Sequence, residues 1–458
     1  MDNSEQKNID QQREKLKSGL PEIQLIKPCI LNNGIIPLPE IKTREVVNES
    51  ISLFIPASGA GSRMFQSLFD YLNDFDLTKK EIKQFSESVA NFAFYKNIDS
   101  QLRIAFEGNQ LSLEDLIKFI FSERGLNYAR LPKGLIPFHL GVDGTSNPFQ
   151  DSIIQGLKLG IQKIDFHFTI QREFENEIMQ SISKVLVDDL SKVQFSEQYK
   201  ETDSIIFDSY FNPIKISENQ FLTRPSGHGA LLTNLNRVDA DYILIRNIDN
   251  VQHSSKSQNS IDVWNRLLNL TLQINKEFKK IWKNPTKEAL LRLNEMYHFY
   301  DSDHIDSIKT SEQILALINR PLRICGMVTN SGQQGGGPYW VKNKSGFLTK
   351  QIVEETQILS NKNQQDLLEK STHFNPVMIV ASVKDFTDKK YDLTQFADHE
   401  TYFIVSKTYQ GKMIQYIERP GLWNGSMAQW TSVFVEIPSE VFSPVKTIMD
   451  LLDDKHKL

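Results

Sequence analysis

Residues 51–64, I-S-L-F-I-P-A-S-G-A-G-S-R-M, limit the architectures open to this chain more than any other stretch. A β-branched and aromatic run, Ile51 to Ile55, stops at Pro56 and gives way to Ala57, Ser58, Gly59, Ala60 and Gly61. Phe65, Leu68, Phe69, Leu72 and Phe75 then recur at helical spacing. The pattern predicts a strand, a tight glycine turn and a helix, the order that builds a phosphate cradle. Small residues let the backbone approach phosphate oxygens, so main-chain N–H groups and the helix N-terminus can carry the binding. Arg63, at the helix start, adds a planar cation suited to phosphate. Met64 stands where a dinucleotide fingerprint needs its third glycine, and no Gly-Lys-Ser/Thr follows Gly59 as a P-loop requires.

Strand-like runs at 163–170, 204–207, 242–246 and 322–328 alternate with helical patterns such as 173–187. That alternation predicts an α/β layer architecture with a largely parallel sheet. Thr78 with Glu81, and Ser112 with Asp115, have capping-box spacing and are expected to open two further helices. Residues 260–320 turn wholly helical and read as an insertion over the sheet. Gln410-Gly411 between two alternating runs predicts a β-hairpin. The expected organisation is an N-terminal arm (1–48), a first part of an α/β core (49–259), the helical insertion (260–320), and the rest of the core with a C-terminal mixed segment (321–458).

Composition narrows the function classes. The net charge of −5 gives no general pull toward nucleic acid or an anionic membrane, so any anion must be held by locally placed groups. The two cysteines, Cys29 and Cys325, lack CxxC spacing, which argues against a disulfide framework or zinc-thiolate site and for a reduced, cytoplasmic setting. The first residues carry no apolar signal region, and no apolar run is long enough to span a bilayer.

Phosphate chemistry needs a cation and a metal-binding carboxylate besides the cradle. Lys133, between Pro132 and Gly134 in L-P-K-G-L, is the candidate cation. Asp249 ends the apolar run Y-I-L-I-R-N-I-D-N (242–250), where a strand's carboxyl end presents ligand-binding groups. It is the candidate Mg2+ ligand, since magnesium takes one or two carboxylates together with phosphate oxygens. The loop R-P-S-G-H-G-A-L (224–231), two glycines around a histidine, would suit backbone recognition of a base. His298, Asp301, Asp303, His304 and Asp306 cluster without a metal-binding template, His167 reads as structural, and Trp340, Trp423 and Trp430 as core or stacking residues.

In order, G-A-G-S-R-M, L-P-K-G-L, P-S-G-H-G-A-L and R-N-I-D-N resemble the UDP-sugar pyrophosphorylases, above all their UDP-N-acetylhexosamine branch. The segment Q-I-V-E-E-T-Q-I (351–358) is similar to a sugar-contacting segment of that family. From about residue 20 to 455 the chain more closely resembles a bacterial family known only as a domain of unknown function and grouped with the nucleotide-diphospho-sugar transferases. The shared features are G-G-G-P-Y-W (335–340), H-F-N-P-V (373–377) and P-G-L-W-N-G (420–425).

The resemblance implies a Rossmann-like, GT-A type mixed sheet flanked by helices. It implies Mg2+-dependent transfer of a nucleotidyl group from a nucleoside triphosphate to a sugar 1-phosphate, with release of pyrophosphate. It places Ser58, Gly59, Ala60, Gly61 and Arg63 at the triphosphate, Lys133 at the phosphates, and Gly227, His228 and Gly229 near the base. Asp249 and Asn375 fall on the metal side, and Glu354 and Asn375 toward the sugar. Ser58 and His228 depart from the family's pattern, so the base is left open. The alternatives are a nucleotide-binding sensor or scaffold on the same fold, and a GT-A glycosyltransferase. Against the latter, Asp239-Ala240-Asp241 precedes its strand and Asp301-Ser302-Asp303 lies in the insertion.

Overall fold

The apolar run 51–55 forms the strand Ile51–Pro56, buried until Pro56. Beyond it, Ala57 N–H still reaches Thr169 O at 2.9 Å, after which the chain leaves the sheet. A tight 3-10 turn, Gly61–Phe65, then leads directly into the helix Gln66–Asp74. The computed structural model describes residues 3–21, 23–40, 48–141, 144–186, 189–218, 220–330, 332, 335–343, 345–358 and 361–457. They divide into two compact units interleaved along the chain. One comprises Met1–Ser52, Gln198–Ile245 and Arg266–Ser439; the other Leu53–Glu197, Arg246–Asn265 and Glu440–Leu458.

In the second unit the strands Ile164–Thr169 and Val193–Ser196 pair in parallel. Phe65, Leu68, Phe85, Phe94, Ile117 and Ile120 bury their side chains with Val251, Val445 and Ile448, so all three stretches of the unit share one apolar core. Ser112 caps the helix Leu113–Phe121 as its spacing predicts, accepting from Asp115 N. Thr78 does not cap the helix Lys80–Ser88: its hydroxyl donates to Asp76 Oδ1 at 2.6 Å instead, and Lys79 takes the cap position. The expected helix over 173–187 is the shorter Glu175–Ile182, and Val187 lies outside the described residues.

In the first unit the strands run in the order Gly34–Pro37, Thr431–Glu436, Leu322–Thr329, Ile379–Ser382, Tyr242–Ile245. The sheet is mixed, as the resemblance implies, rather than largely parallel as the alternation alone predicts. Ile379–Ser382 runs antiparallel to both neighbours, while Leu322–Thr329 and Thr431–Glu436 are parallel. Its central strands are buried along both faces, which accounts for their unbroken apolar sequences. Helices occupy Lys287–Tyr297, Ser302–Ser307 and Ser311–Ile318, within the region expected to be helical. The hairpin pairs Phe403–Tyr409 with Lys412–Glu418; Gln410 (φ 49°) and Gly411 (φ 75°) supply the two left-handed residues its short turn needs. No helix among the described residues is long and apolar enough to cross a membrane.

Candidate functional site

The glycine turn is fixed by the lysine loop. Gly61 N–H donates to Leu131 O at 3.2 Å, and Lys133 N–H donates back to Gly59 O at 3.1 Å. Gln171 Nε2 holds Ser58 O at 2.7 Å from the other side. The two glycines therefore do different work. A Cβ on Gly61 would meet Ile136 Cδ1 at 2.6 Å and Leu131 O at 3.2 Å, so Gly61 permits close packing and its own amide is engaged. A Cβ on Gly59 would have nothing within 4 Å, and Gly59 and Ala60 lie exposed at the crown of the turn. Arg63 is exposed just beyond, with no side-chain partner among the described residues.

Lys133, on the 3-10 turn Lys133–Leu135, reaches Asp249 Oδ2 at 2.7 Å, with side-chain exposures of 15% and 25%. Three segments remote in sequence thus converge in one unit. The Asp249 loop is held from below by Arg246, which donates to Gln155 Oε1 at 3.0 Å and to Asn250 O. Burial pulls the Arg246 guanidinium down to about 10, and Asp151 and Asp249 oppose that fall. The C-terminal stretch braces the loop as well: Val445 N–H donates to Asp249 O at 3.1 Å, and Ser443 N–H to Asn250 Oδ1 at 2.9 Å.

The first unit holds a second cluster. Gly227 is left-handed (φ 58°), and a Cβ on Gly229 would sit 2.1 Å from Pro420 O, so the glycines of this loop seat it against 418–421. His228 stacks on Trp423 with ring centroids 4.3 Å apart, and its Nδ1 accepts from Leu422 N–H at 3.0 Å. That bond requires an unprotonated Nδ1, so the proton is on Nε2, which faces Glu354 Oε1 at 3.6 Å. Asn424 Nδ2 donates to the same carboxylate oxygen at 2.7 Å. Burial works to raise the Glu354 carboxyl, but His228 beside it and the Asn424 amide outweigh burial and hold it below the usual carboxylate range. Trp423 read in the sequence as a core or stacking residue, and it stacks here on His228; Asn424 was not singled out there. The only signal for Asn424 was membership of the P-G-L-W-N-G motif.

Asn375 is buried, and both ends of its amide are engaged: Nδ2 donates to Gly326 O at 2.9 Å and Oδ1 accepts from Val377 N–H at 3.2 Å. Its main-chain N–H donates to Gly336 O at 2.9 Å, which ties the Gly335–Gly337 run to the H-F-N-P-V motif. His298 accepts from Gly34 N–H at 3.2 Å, and His304 stacks on Phe347 at 4.1 Å. No group of three or more His, Cys, Asp or Glu among the described residues is arranged to hold a metal. His167 is bonded to Ser196 Oγ at 2.8 Å and stacked on Phe54. Cys29 and Cys325 are free and buried.

Among solved structures, a mutant UDP-glucose pyrophosphorylase from Leishmania major, in complex with UDP-Glc, is 12% identical to this chain at a TM-score of 0.48. That match covers 97% of this chain and 74% of the other. The UDP-N-acetylglucosamine pyrophosphorylase of Trypanosoma brucei is 10% identical at 0.48, over 97% and 74%. A putative UDP-N-acetylglucosamine pyrophosphorylase from Entamoeba histolytica is 13% identical at 0.44, over 89% and 78%. The chain belongs to the family described as Domain of unknown function (DUF4301), whose model matches residues 1–457. No curated protein matches it.

Proposed function

We propose that the protein is a Mg2+-dependent nucleotidyltransferase that joins a nucleoside triphosphate and a sugar 1-phosphate, giving a nucleotide sugar and pyrophosphate. The observation that carries this reading is the convergence of the open Gly59 turn, Lys133 and Asp249 within one unit. A phosphate chain laid over the turn meets the exposed residues Gly59 and Ala60, with Arg63 beside them. Lys133, which pairs with Asp249, is within the same cluster to take phosphate oxygens of the bound triphosphate.

Asp249 fits a magnesium site in its chemistry. It is a half-buried carboxylate with Oδ2 on Lys133, and magnesium needs few protein ligands when phosphate and water supply the rest. When bound, the ion would neutralise phosphate charge as the α-phosphorus is attacked. Asn375, which the resemblance puts on the metal and sugar side, has only the second lone pair of its carboxamide oxygen to offer. In the reaction the sugar phosphate oxygen bonds to the α-phosphorus and the bond to the β-phosphate breaks. Arg63 and the turn amides take the charge of the departing pyrophosphate, and Lys133 holds the phosphates in line. Gly227, His228 and Gly229 are proposed for the base and Glu354 for the sugar. The cytoplasmic setting, with no nucleic acid or membrane partner, belongs to the same proposal.

The test is thermal stabilisation of the wild type and Lys133→Met by each nucleoside triphosphate with Mg2+. A ligand at a hundredfold excess over its Kd stabilises by about 2.7 kcal/mol. Stabilisation by one triphosphate that disappears in Lys133→Met supports the reading; equal stabilisation of both proteins by every triphosphate removes it.

A further inference from the structure

The second unit contains a buried polar chain that the phosphate site does not use. Asp151 is 2% exposed; one carboxylate oxygen accepts from Ser146 Oγ at 2.9 Å and the other meets His139 Nδ1 at 2.8 Å. His139, fully buried, turns Nε2 to His456 Nδ1 at 2.8 Å. His456 lies in the turn Asp454–His456 at the end of the described chain.

The geometry allows one proton between the two rings. Asp151 fixes a proton on His139 Nδ1, so the facing nitrogens share a single further one. A second would set two N–H groups head to head and break the contact.

The stretch that ends in this turn lies along the Asp249 loop. Lys455 O accepts from His253 N–H at 3.0 Å, and Lys455 Nζ donates to Phe442 O at 2.8 Å. Glu440 O accepts from Gln252 Nε2 at 2.5 Å. With the Val445–Asp249 and Ser443–Asn250 bonds, residues 440–457 tie down 249–253 at both ends.

We propose that this C-terminal stretch is a strap that positions Asp249, and that the Asp151–His139–His456 chain is the proton-sensitive latch that closes it. The role given to Asp249 rests on the proposed function; the latch does not. The groups facing His456 are His139 and His253 from neighbouring segments, Asp453 and Lys455 on its own turn, and the edge of the Phe138 ring. Arg246 faces the far end of the chain, at Asp151.

Burial first, and then His139, push the His456 imidazole down to about 3, against the pull of Asp453. The sign follows. A histidine neutral when docked and free to charge when undocked loses docking as pH falls below about 6.5, up to about tenfold per pH unit.

Amide exchange tests this without any nucleotide, so its failure is separable from failure of the proposed function. Between pH 7.5 and 5.5 the protection factors of the His253 and Val445 amides, corrected for intrinsic exchange, should fall about tenfold in the wild type. In His456→Phe, which keeps a ring but takes no proton, protection should be independent of pH over that range. Should the phenylalanine fail to dock at pH 7.5, His456→Gln, a non-titrating donor to His139 Nε2, replaces it. Unchanged wild-type protection, or the same pH loss in the variant, overturns the latch. A loss at His253 with Val445 unmoved overturns the positioning of Asp249.

Discussion

Lys133→Met separates a catalytic role from a structural one. The substitution keeps the length and apolar stem of the side chain and removes its charge. Its cost to stability follows from the burial of the pair: side-chain exposures of 15% and 25% put Lys133 and Asp249 between a surface ion pair and a buried one. Surface pairs contribute about 0–1 kcal/mol, and breaking a buried pair costs about 3–5 kcal/mol. About 1–2 kcal/mol is therefore expected here, or roughly a few degrees at most in Tm for a chain of this length. If Lys133 holds phosphate oxygens in the transition state, its loss costs about 3–4 kcal/mol there, a fall of about 10²–10³ in kcat/KM. Steady-state pyrophosphate release and equilibrium unfolding, run on the same preparations, read the two costs independently. The reasoning is refuted if kcat/KM stays within about threefold of wild type, or if the variant is destabilised in proportion to its lost activity.

Gly59→Ala should leave unfolding unchanged, since no atom lies within 4 Å of the new methyl, yet weaken triphosphate binding about tenfold or more by filling the approach to the turn. Gly61→Ala should instead lower stability by about 1–3 kcal/mol, because its methyl collides with Ile136; denaturant titration with a binding isotherm distinguishes the pair. Gly229→Ala, with a Cβ 2.1 Å from a main-chain oxygen, should cost about 3 kcal/mol or more, and a midpoint shift equivalent to under about 0.5 kcal/mol would show that the 418–421 contact is soft. Glu354, held below the usual carboxylate range, contributes stability that is present above its unfolded value and lost as pH falls through its folded one. The stability gap between wild type and Glu354→Gln should accordingly be widest at neutral pH and close in acid, as urea midpoints across pH 7 to 3 will reveal.

The strand, glycine turn and helix at 51–74 were legible because each is written in local chemistry: a β-branched run, two glycines, and apolar residues at helical spacing. The Lys133–Asp249 pairing was legible only as two separate candidates, since nothing local says that residues 116 positions apart will meet. Gly59 and Gly61 looked alike in sequence and are not, because only the packing of Ile136 and Leu131 against one of them tells packing from exposure. Thr78 misled for a local reason, a nearer carboxylate at Asp76 taking its hydroxyl. The antiparallel strand Ile379–Ser382 carries the same apolar sequence that a parallel one would, so its direction was not readable. Nothing in the sequence links His139, Asp151 and His456, and only the fold assembles them.

The most direct measurement is the reverse reaction: purified protein, Mg2+, pyrophosphate and a panel of nucleotide sugars, assayed for the nucleoside triphosphate formed. The account predicts that one member of the panel yields triphosphate and sugar 1-phosphate, that Asp249→Ala folds normally but forms none, and that chelation of Mg2+ stops the wild type. Triphosphate formed at the wild-type rate by Asp249→Ala, or no triphosphate from any nucleotide sugar that measurably binds the wild-type protein, would contradict it.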